Sequence, residues 1–305
     1  MARVTIGLPV RDGERFLEAA IEAILAQSFR DFALVISDNG SDDRTPEICR
    51  GYASRDSRVR YVRNDVNVGA AANFNAVFRG NETEYFKWAS HDDVIGRDFL
   101  SRCVDALDSR PDAVLSFPQV LLIDERGEFS AGPEYGLEWD AVSPSRRFGE
   151  IVLKRHGCQS IFGLIRSEVL SKTPLIGNYV ASDRVLLSEL ALHGQFSEVP
   201  EPLFFHRRHP DRAIKMNPKH TDMTAWFDPT RQRKIVLPHF RMFWEYARSL
   251  GRAKLSVSER IRCHAHLARW VRAHLSPMRY DLSGATRQLM ARRGSRPVRK
   301  GGSIT

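Results

Sequence analysis

Cysteine is scarce. Four are scattered through 305 residues (Cys49, Cys103, Cys158 and Cys263), with no C-x-x-C pair. Neither a zinc pattern nor a disulfide framework is expected, and a reducing, cytoplasmic compartment is the natural one. Long apolar runs are missing too: AVLSFPQVLLI, 113–123, has 11 residues, against the roughly 20 that span a bilayer. The opening MARVTIGLPVRDGE turns charged before a secretory apolar region develops, so no signal peptide is expected. Internal repeats are absent as well.

What is present is a globular composition, 42% hydrophobic and 27% charged, in a chain long enough for one large domain or two smaller ones. The net charge of +9 is unevenly spread. From Thr230 onward 18 Lys and Arg stand against 3 Asp and Glu, which leaves the preceding body mildly acidic. A basic end on an acidic body points to an anionic partner.

In the first half, strand and helix signals alternate. RVTIGLPV (3–10), FALVIS (32–37), VRYVRN (59–64) and EYFKWAS (84–90) read as buried strands. ERFLEAAIEAILAQSF (14–29), TPEICRGYASR (45–55), NVGAAANFNAVFRG (67–80) and RDFLSRCVDALDSR (97–110) read as helices between and after them. That order predicts an α/β fold with a mostly parallel sheet flanked by helices. Between 113 and about 210 strands (AVLSFPQVLLID, SIFGLIR, PEPLFFHR) mix with helices (SPSRRFGEIVLKR, SDRVLLSELALHG). Beyond about 232 the pattern is helical. Val236, Phe240, Phe243, Trp244, Ala247 and Leu250 are expected on one apolar stripe, and Ser256 and Glu259 form a capping box. Residues 292–305 are expected to be disordered. The segments 134–145 and 209–226 are polar enough for mobile loops. The aromatics Tyr135, Trp139, Phe148, Tyr179, Trp226 and Phe227 suit either sugar stacking or packing.

One short stretch carries most of the chemistry. KWASHDDVIG (87–96) ends an aromatic strand in His91 and two adjacent carboxylates, Asp92 and Asp93. They suit a solvated turn, a helix cap at Asp93, or a divalent cation bound through hard oxygen ligands. Each of the four strands is followed by a polar cluster: PVRDGERFL, SDNGSDDRT, NVGAAANFN and ASHDD. In a parallel sheet all four reach the rim where ligands bind.

This ordered set resembles the nucleotide-binding half of the family 2 inverting glycosyltransferases, which have the GT-A fold, and the resemblance covers roughly residues 3–215. It implies that Pro9, Val10 and Arg11 cradle the nucleoside with Asn67, Gly69 and Asn73, and that Asp38 contacts uracil or an equivalent base. His91 and Asp92 would face the diphosphate, and Asp92, Asp93 and His209 would hold Mn²⁺ or Mg²⁺. Arg207 would neutralise phosphate. Asp183, at the start of the helix in YVASDRVLLSELALHG, would be the catalytic base. Three departures stand out: the metal motif opens with Ser90 where the family has an aspartate, the acidic pair at the base is reduced to Ser182-Asp183, and Phe74 stands where an arginine is usual. The His206–His209 spacing is compatible with zinc, without a further ligand pattern to support it.

The implied activity is metal-dependent, inverting transfer of a sugar from a nucleoside-diphosphate donor, UDP favoured, to a hydroxyl of a glycan, a lipid-linked saccharide or a small natural product. The alternative is a non-catalytic nucleotide-sugar or glycan binding protein that keeps the fold. Three segments follow: a donor-binding half, 1–112; an acceptor-binding half of the same domain, 113–229; and a basic helical C-terminal extension, 230–305. That last segment is expected to pack on the body or a second subunit, or else to lie peripherally on an anionic membrane at its inner face. Nucleic-acid binding rests on the tail alone and is not expected, and a homodimer is left open.

Overall fold

The computed structural model describes residues 2–130, 137–210, 216, 220–231 and 235–294. The chain runs β1 (Val4–Val10), α1 (Leu17–Leu25), β2 (Phe32–Asp38), α2 (Thr45–Arg55), β3 (Val59–Arg63), α3 (Ala70–Ala76), β4 (Tyr85–Trp88) and β5 (Val94–Ile95). Then come α4 (Phe99–Ser109), β6 (Ala113–Ile123), β7 (Phe129–Ser130), α5 (Pro144–Leu153), β8 (Leu164–Arg166), α6 (Ser167–Leu170), α7 (Ser182–His193) and β9 (Gln195–Arg207). The described helices after β9 are α8 (His220–Phe227), α9 (Pro238–Arg252), α10 (Val257–Ala273) and α11 (Leu275–Gly294).

Among the described residues the strands form one nine-stranded sheet, ordered β3-β2-β1-β4-β8-β6-β9-β5, with β7 paired on β6. The first four are parallel, as strand–helix alternation requires. Beyond β4 the sheet is mixed: β8 is antiparallel to β4 and β6, whereas β6 and β9 run parallel. Every residue of β1 is buried, because helices cover both faces of the parallel half. SIFGLIR is shorter as a strand than expected. It splits into a 3-10 turn, Gln159–Phe162, and a three-residue β8. Between them Gly163 lies so close to β6 that a Cβ there would sit 2.4 Å from the Ser116 carbonyl.

The apolar core has three parts. One packs α1 and α4 on the sheet through Leu17, Ile21, Phe99, Cys103 and Leu107. The second lies on the opposite side, around Phe86, Trp88, Leu115, Leu187 and Leu190. A third joins Phe148, Val185 and Leu192 of the body to Tyr246, Leu250, Cys263, Leu267 and Trp270 of the C-terminal helices. Glu189 of α7, fully buried, accepts from Nε and Nη2 of Arg252 in α9, at 2.7 and 2.6 Å. The C-terminal helices are thus packed into the body.

The expected stripe on α9 packs on the core through Phe240, Phe243, Ala247 and Leu250, but Trp244 is 59% exposed and the buried side also carries Tyr246, Ser249 and Glu245. Glu245 tolerates this because Arg241 and Arg248 reach its carboxylate at 3.0 and 2.8 Å. Half of the capping box at Ser256 is formed, with its hydroxyl accepting from the Glu259 N–H. Glu259 turns its carboxylate elsewhere, to Ser143 Oγ and the Ser145 N–H at the start of α5. No described helix is long and apolar enough to cross a membrane. Of the tail expected to be disordered, residues 292–294 end helix α11 and the rest falls outside the described residues, as do parts of the two expected mobile loops.

Candidate active site

The ends of β1, β2 and β4 share one edge of the sheet, with Val10 in register with Asp38 and Gly7 with Trp88. The connections after them are laced together. Asp12 N–H donates to Ser41 Oγ, Gly13 N–H to Thr45 Oγ1, and Glu14 N–H to Asp43 Oδ2, each at 2.9 Å. In return the Asp42 N–H reaches Asp12 Oδ1 and the Arg44 N–H reaches Glu14 Oε2. A second lacing uses amides: Asn39 donates to Asn67 Oδ1 at 2.8 Å, and Asn73 donates to the Ser37 carbonyl at 2.9 Å. These bonds fix the walls of a cleft of about 810 Å³.

Ten of the residues expected at the site line this cleft: Pro9, Val10, Arg11, Asn67, Asn73, His91, Asp92, Asp93, Asp183 and His209. Three do not. Asp38 is fully buried, with Oδ1 accepting the Ser41 N–H at 2.9 Å and Oδ2 the Tyr61 hydroxyl at 2.8 Å. Gly69 contributes backbone shape rather than a contact. Its φ is +89°, and a Cβ there would lie 2.5 Å from the Phe227 carbonyl. Arg207 is buried, and its guanidinium serves the carbonyls of Asp92 and Asp124, both at 2.9 Å. It holds the acidic turn from behind, while Arg11 is exposed at the cleft.

The acidic turn is neither solvated nor a helix cap. Asp93 is 5% exposed, and its Oδ1 accepts from His206 Nδ1 at 3.0 Å and the Arg207 N–H at 2.8 Å. Its Oδ2 is buried without a hydrogen-bond partner. Asp92 takes the Ser90 hydroxyl on Oδ1 and His209 Nε2 on Oδ2, the latter at 3.0 Å. Burial alone would raise the Asp92 carboxyl; His91, Ser90 and His209 outweigh it and hold the group well below the usual carboxylate range. Ser90, the departure from the acidic motif, therefore orients Asp92.

Few protein groups here could serve a cation: Asp92 and His209 are adjacent, and Oδ2 of the neighbouring Asp93 is buried without a hydrogen-bond partner. No set of three His, Cys, Asp or Glu side chains among the described residues has a metal-holding arrangement. Phosphate oxygens and water would have to complete the shell, as is usual for Mg²⁺.

Asp183 follows Ala181, which is held at φ +63°, and opens α7 at the cleft wall. One carboxylate oxygen accepts its neighbour's N–H at 2.8 Å. The Arg184 guanidinium turns away to the carbonyls of Ile151 and His156. Cys158 lies against Asp183; burial and that carboxylate push its thiol well above the ordinary range.

The order of these clusters and the cleft they enclose match a known pattern. Residues 5–173 fit the model for glycosyl transferase family 2. The chain belongs to glycosyl transferase family 2. An uncharacterized glycosyltransferase of Rickettsia conorii is 30% identical over 128 residues, which is 41% of this chain and 20% of that protein. Glycosyltransferase GlyA of Streptococcus pneumoniae is 26% identical over 98 residues, 32% of this chain and 14% of that one. The match thus spans a fifth or less of these relatives' own length.

Among solved structures, S. aureus TarS 1-349 in complex with UDP-GlcNAc has a TM-score of 0.64 at 15% identity, covering 90% of this chain and 73% of that one. Mannosyltransferase PcManGT from Pyrobaculum calidifontis, in complex with GDP-Man and Mn²⁺, has a TM-score of 0.56 at 16% identity, covering 97% and 76%. At these identities the likeness is one of fold: GT-A-like, a curled mixed sheet flanked by helices.

Several residues of this family 2 cleft escape the sequence reading: Asn39, Phe16, Phe162 and Met216 also line it, together with His206 and Trp226, which the sequence had offered only as a zinc-compatible spacing and as a stacking or packing aromatic. Asn39 had a signal, since DNG follows a strand; Phe16 and Phe162 had none, because an aromatic beside a helix or strand reads as packing. Of the other aromatics, Phe148 is core, Trp139 and Phe227 pack against core, and Tyr135 lies outside the described residues. Beneath the cleft Lys87 is fully buried in β4. Its ammonium donates to the carbonyls of Trp88 and Phe162 and sits 4.2 Å from the Phe99 ring centroid. Burial pushes it down to about 7.

Proposed function

We propose that this family 2 chain is an inverting glycosyltransferase. It takes a sugar from a nucleoside-diphosphate donor, UDP favoured, to a hydroxyl on a saccharide, lipid-linked or small-molecule acceptor, with Mn²⁺ or Mg²⁺. The observation that supports it most is that Asp183 and the Asp92–His209 pair line the same cleft at the strand ends. A donor-binding half, 1–112, would supply the first three polar clusters and the acidic turn. An acceptor-binding half, 113–229, would supply Asp183 and His209.

In this reading the backbone at Pro9–Val10 and the amides of Asn39 and Asn67 hold the nucleoside, and Arg11 meets the diphosphate. Asp92 and His209, with Asp93 behind them, would hold the cation, which when bound neutralises charge on the leaving diphosphate. An acceptor hydroxyl is a weak nucleophile near neutral pH. Asp183 takes its proton as the oxygen attacks the anomeric carbon. The bond to the diphosphate oxygen breaks, its electron pair leaves with the nucleotide, and attack from the opposite face inverts the configuration.

The test is calorimetric titration with UDP, GDP and dTDP, with and without Mn²⁺, followed by transfer assays on wild type and Asp183→Asn. An enzyme binds one nucleotide with metal dependence, and the variant keeps that binding while losing transfer at least about 100-fold. Binding without turnover in the wild type would favour a binding protein that keeps the fold. No nucleotide binding at all would overturn both.

A further inference from the structure

Helix α10 has two apolar sides. The inner one, Cys263, Leu267 and Trp270, is buried on the body. A helix with one buried stripe should show water a polar face. Here Val257 is 77% exposed and Ile261 64%, and Ala265 and Ala268 continue that outer stripe, both exposed. Steps of four, four and three residues keep all four on one side.

Arginines flank the stripe. Arg262 is tied to Glu259, but Arg269 and Arg272 are exposed and take part in no ion pair among the described residues. The next helix repeats the theme: Leu275 is 46% exposed and Leu282 50%, with an exposed Arg279 between them on the same side. All of this lies in the segment with 18 Lys and Arg against 3 Asp and Glu.

The occupant of such a face must accept aliphatic side chains and guanidinium groups together. A second copy would bring the same positive face and be repelled. A nucleic acid would take the arginines and leave Val257 and Ile261 in water. An anionic bilayer takes both, with phosphates for the arginines and the headgroup–acyl boundary for the aliphatics. We propose that the outer face of α10 rests on an anionic lipid surface, with Val257 and Ile261 at the acyl boundary and Arg269 and Arg272 among the lipid phosphates.

The full chain is sedimented with phosphatidylcholine vesicles with and without phosphatidylglycerol, at low and high salt. Binding is expected to the phosphatidylglycerol vesicles and to weaken with salt. Arg269→Ala and Arg272→Ala should each weaken it about five-fold, from about 1 kcal/mol per basic residue near the surface. Ile261→Ser should weaken binding further while leaving the melting temperature unchanged, because the side chain is exposed. Absence of sedimentation with the anionic vesicles, or variants that bind as the wild type does, would overturn the proposal. So would self-association in light scattering that Ile261→Ser abolishes, or an affinity for a DNA duplex equal to that for the vesicles.

Discussion

Asp92 Oδ2 and His209 Nε2 meet at 3.0 Å although 117 residues separate them in the chain. One comes from the turn after β4, the other from just beyond β9. Phe16 stands behind the imidazole, ring centroids 4.8 Å apart, with the Arg207 guanidinium also 4.8 Å from its ring. Asp92→Ala and His209→Ala should each lower Mn²⁺ affinity, measured with nucleotide present, by more than Phe16→Ala does. The Phe16 variant, acting only through ring orientation, should lose about 10-fold. Unchanged Mn²⁺ affinity in Asp92→Ala would remove the cation from this site.

Lys87 gives the protein a titration that can be read as stability. Its folded pKa is about 7 against an ordinary 10.5. Between those values the unfolded chain carries the proton and the folded chain does not, so folding is favoured progressively as pH rises through the window. Below it both states are protonated and the burial penalty is fully felt. Lys87→Met cannot titrate. Wild-type stability from urea melts should therefore climb relative to the variant, by up to about 1.4 kcal/mol per pH unit. Parallel curves would mean that Lys87 stays charged.

Arg252→Met should be costly. It would strand the fully buried carboxylate of Glu189, a loss of about 3–5 kcal/mol in chemical denaturation. Replacing both partners by Met should recover most of that loss, because two apolar groups need no partner there. A double variant no better than the single one would show that packing, not charge, is what Arg252 provides.

Gly69 and Gly80 separate two costs. Both have positive φ, +89° and +74°, but a Cβ at Gly80 meets nothing within 4 Å while one at Gly69 strikes the Phe227 carbonyl at 2.5 Å. Gly80→Ala should lose about 1–2 kcal/mol, the dihedral cost alone. Gly69→Ala should lose more and also weaken nucleotide binding, since the Asn67 side chain accepts its N–H. Equal losses in thermal melts would mean that α8 moves aside freely.

Much of the parallel half was legible because each buried strand announced itself as an apolar run and each polar cluster followed at once. The rim position of Asp92 followed from the same order, whereas Asp183 was reached only through the family resemblance. What the sequence hid were partners. Nothing near Asp38 in the chain tells that Tyr61, 23 residues on, takes its carboxylate. Nothing near Arg207 tells that two remote carbonyls will occupy its guanidinium. A one-dimensional pattern specifies which edge a residue reaches, while side-chain direction is decided by groups that arrive from elsewhere. On α9 the stripe held at Phe240, Phe243, Ala247 and Leu250 and missed at Trp244, while Glu245 is buried beside it because Arg241 and Arg248 compensate its charge.

Because β8 is hydrogen-bonded to β4 on one side and to β6 on the other, the described strands before and after residue 112 belong to one continuous beam. Such a beam resists hinge closure. Substrate entry and product release would then fall to the connections along its rim, so turnover should respond to substitutions in those connections far more than to changes where the halves meet.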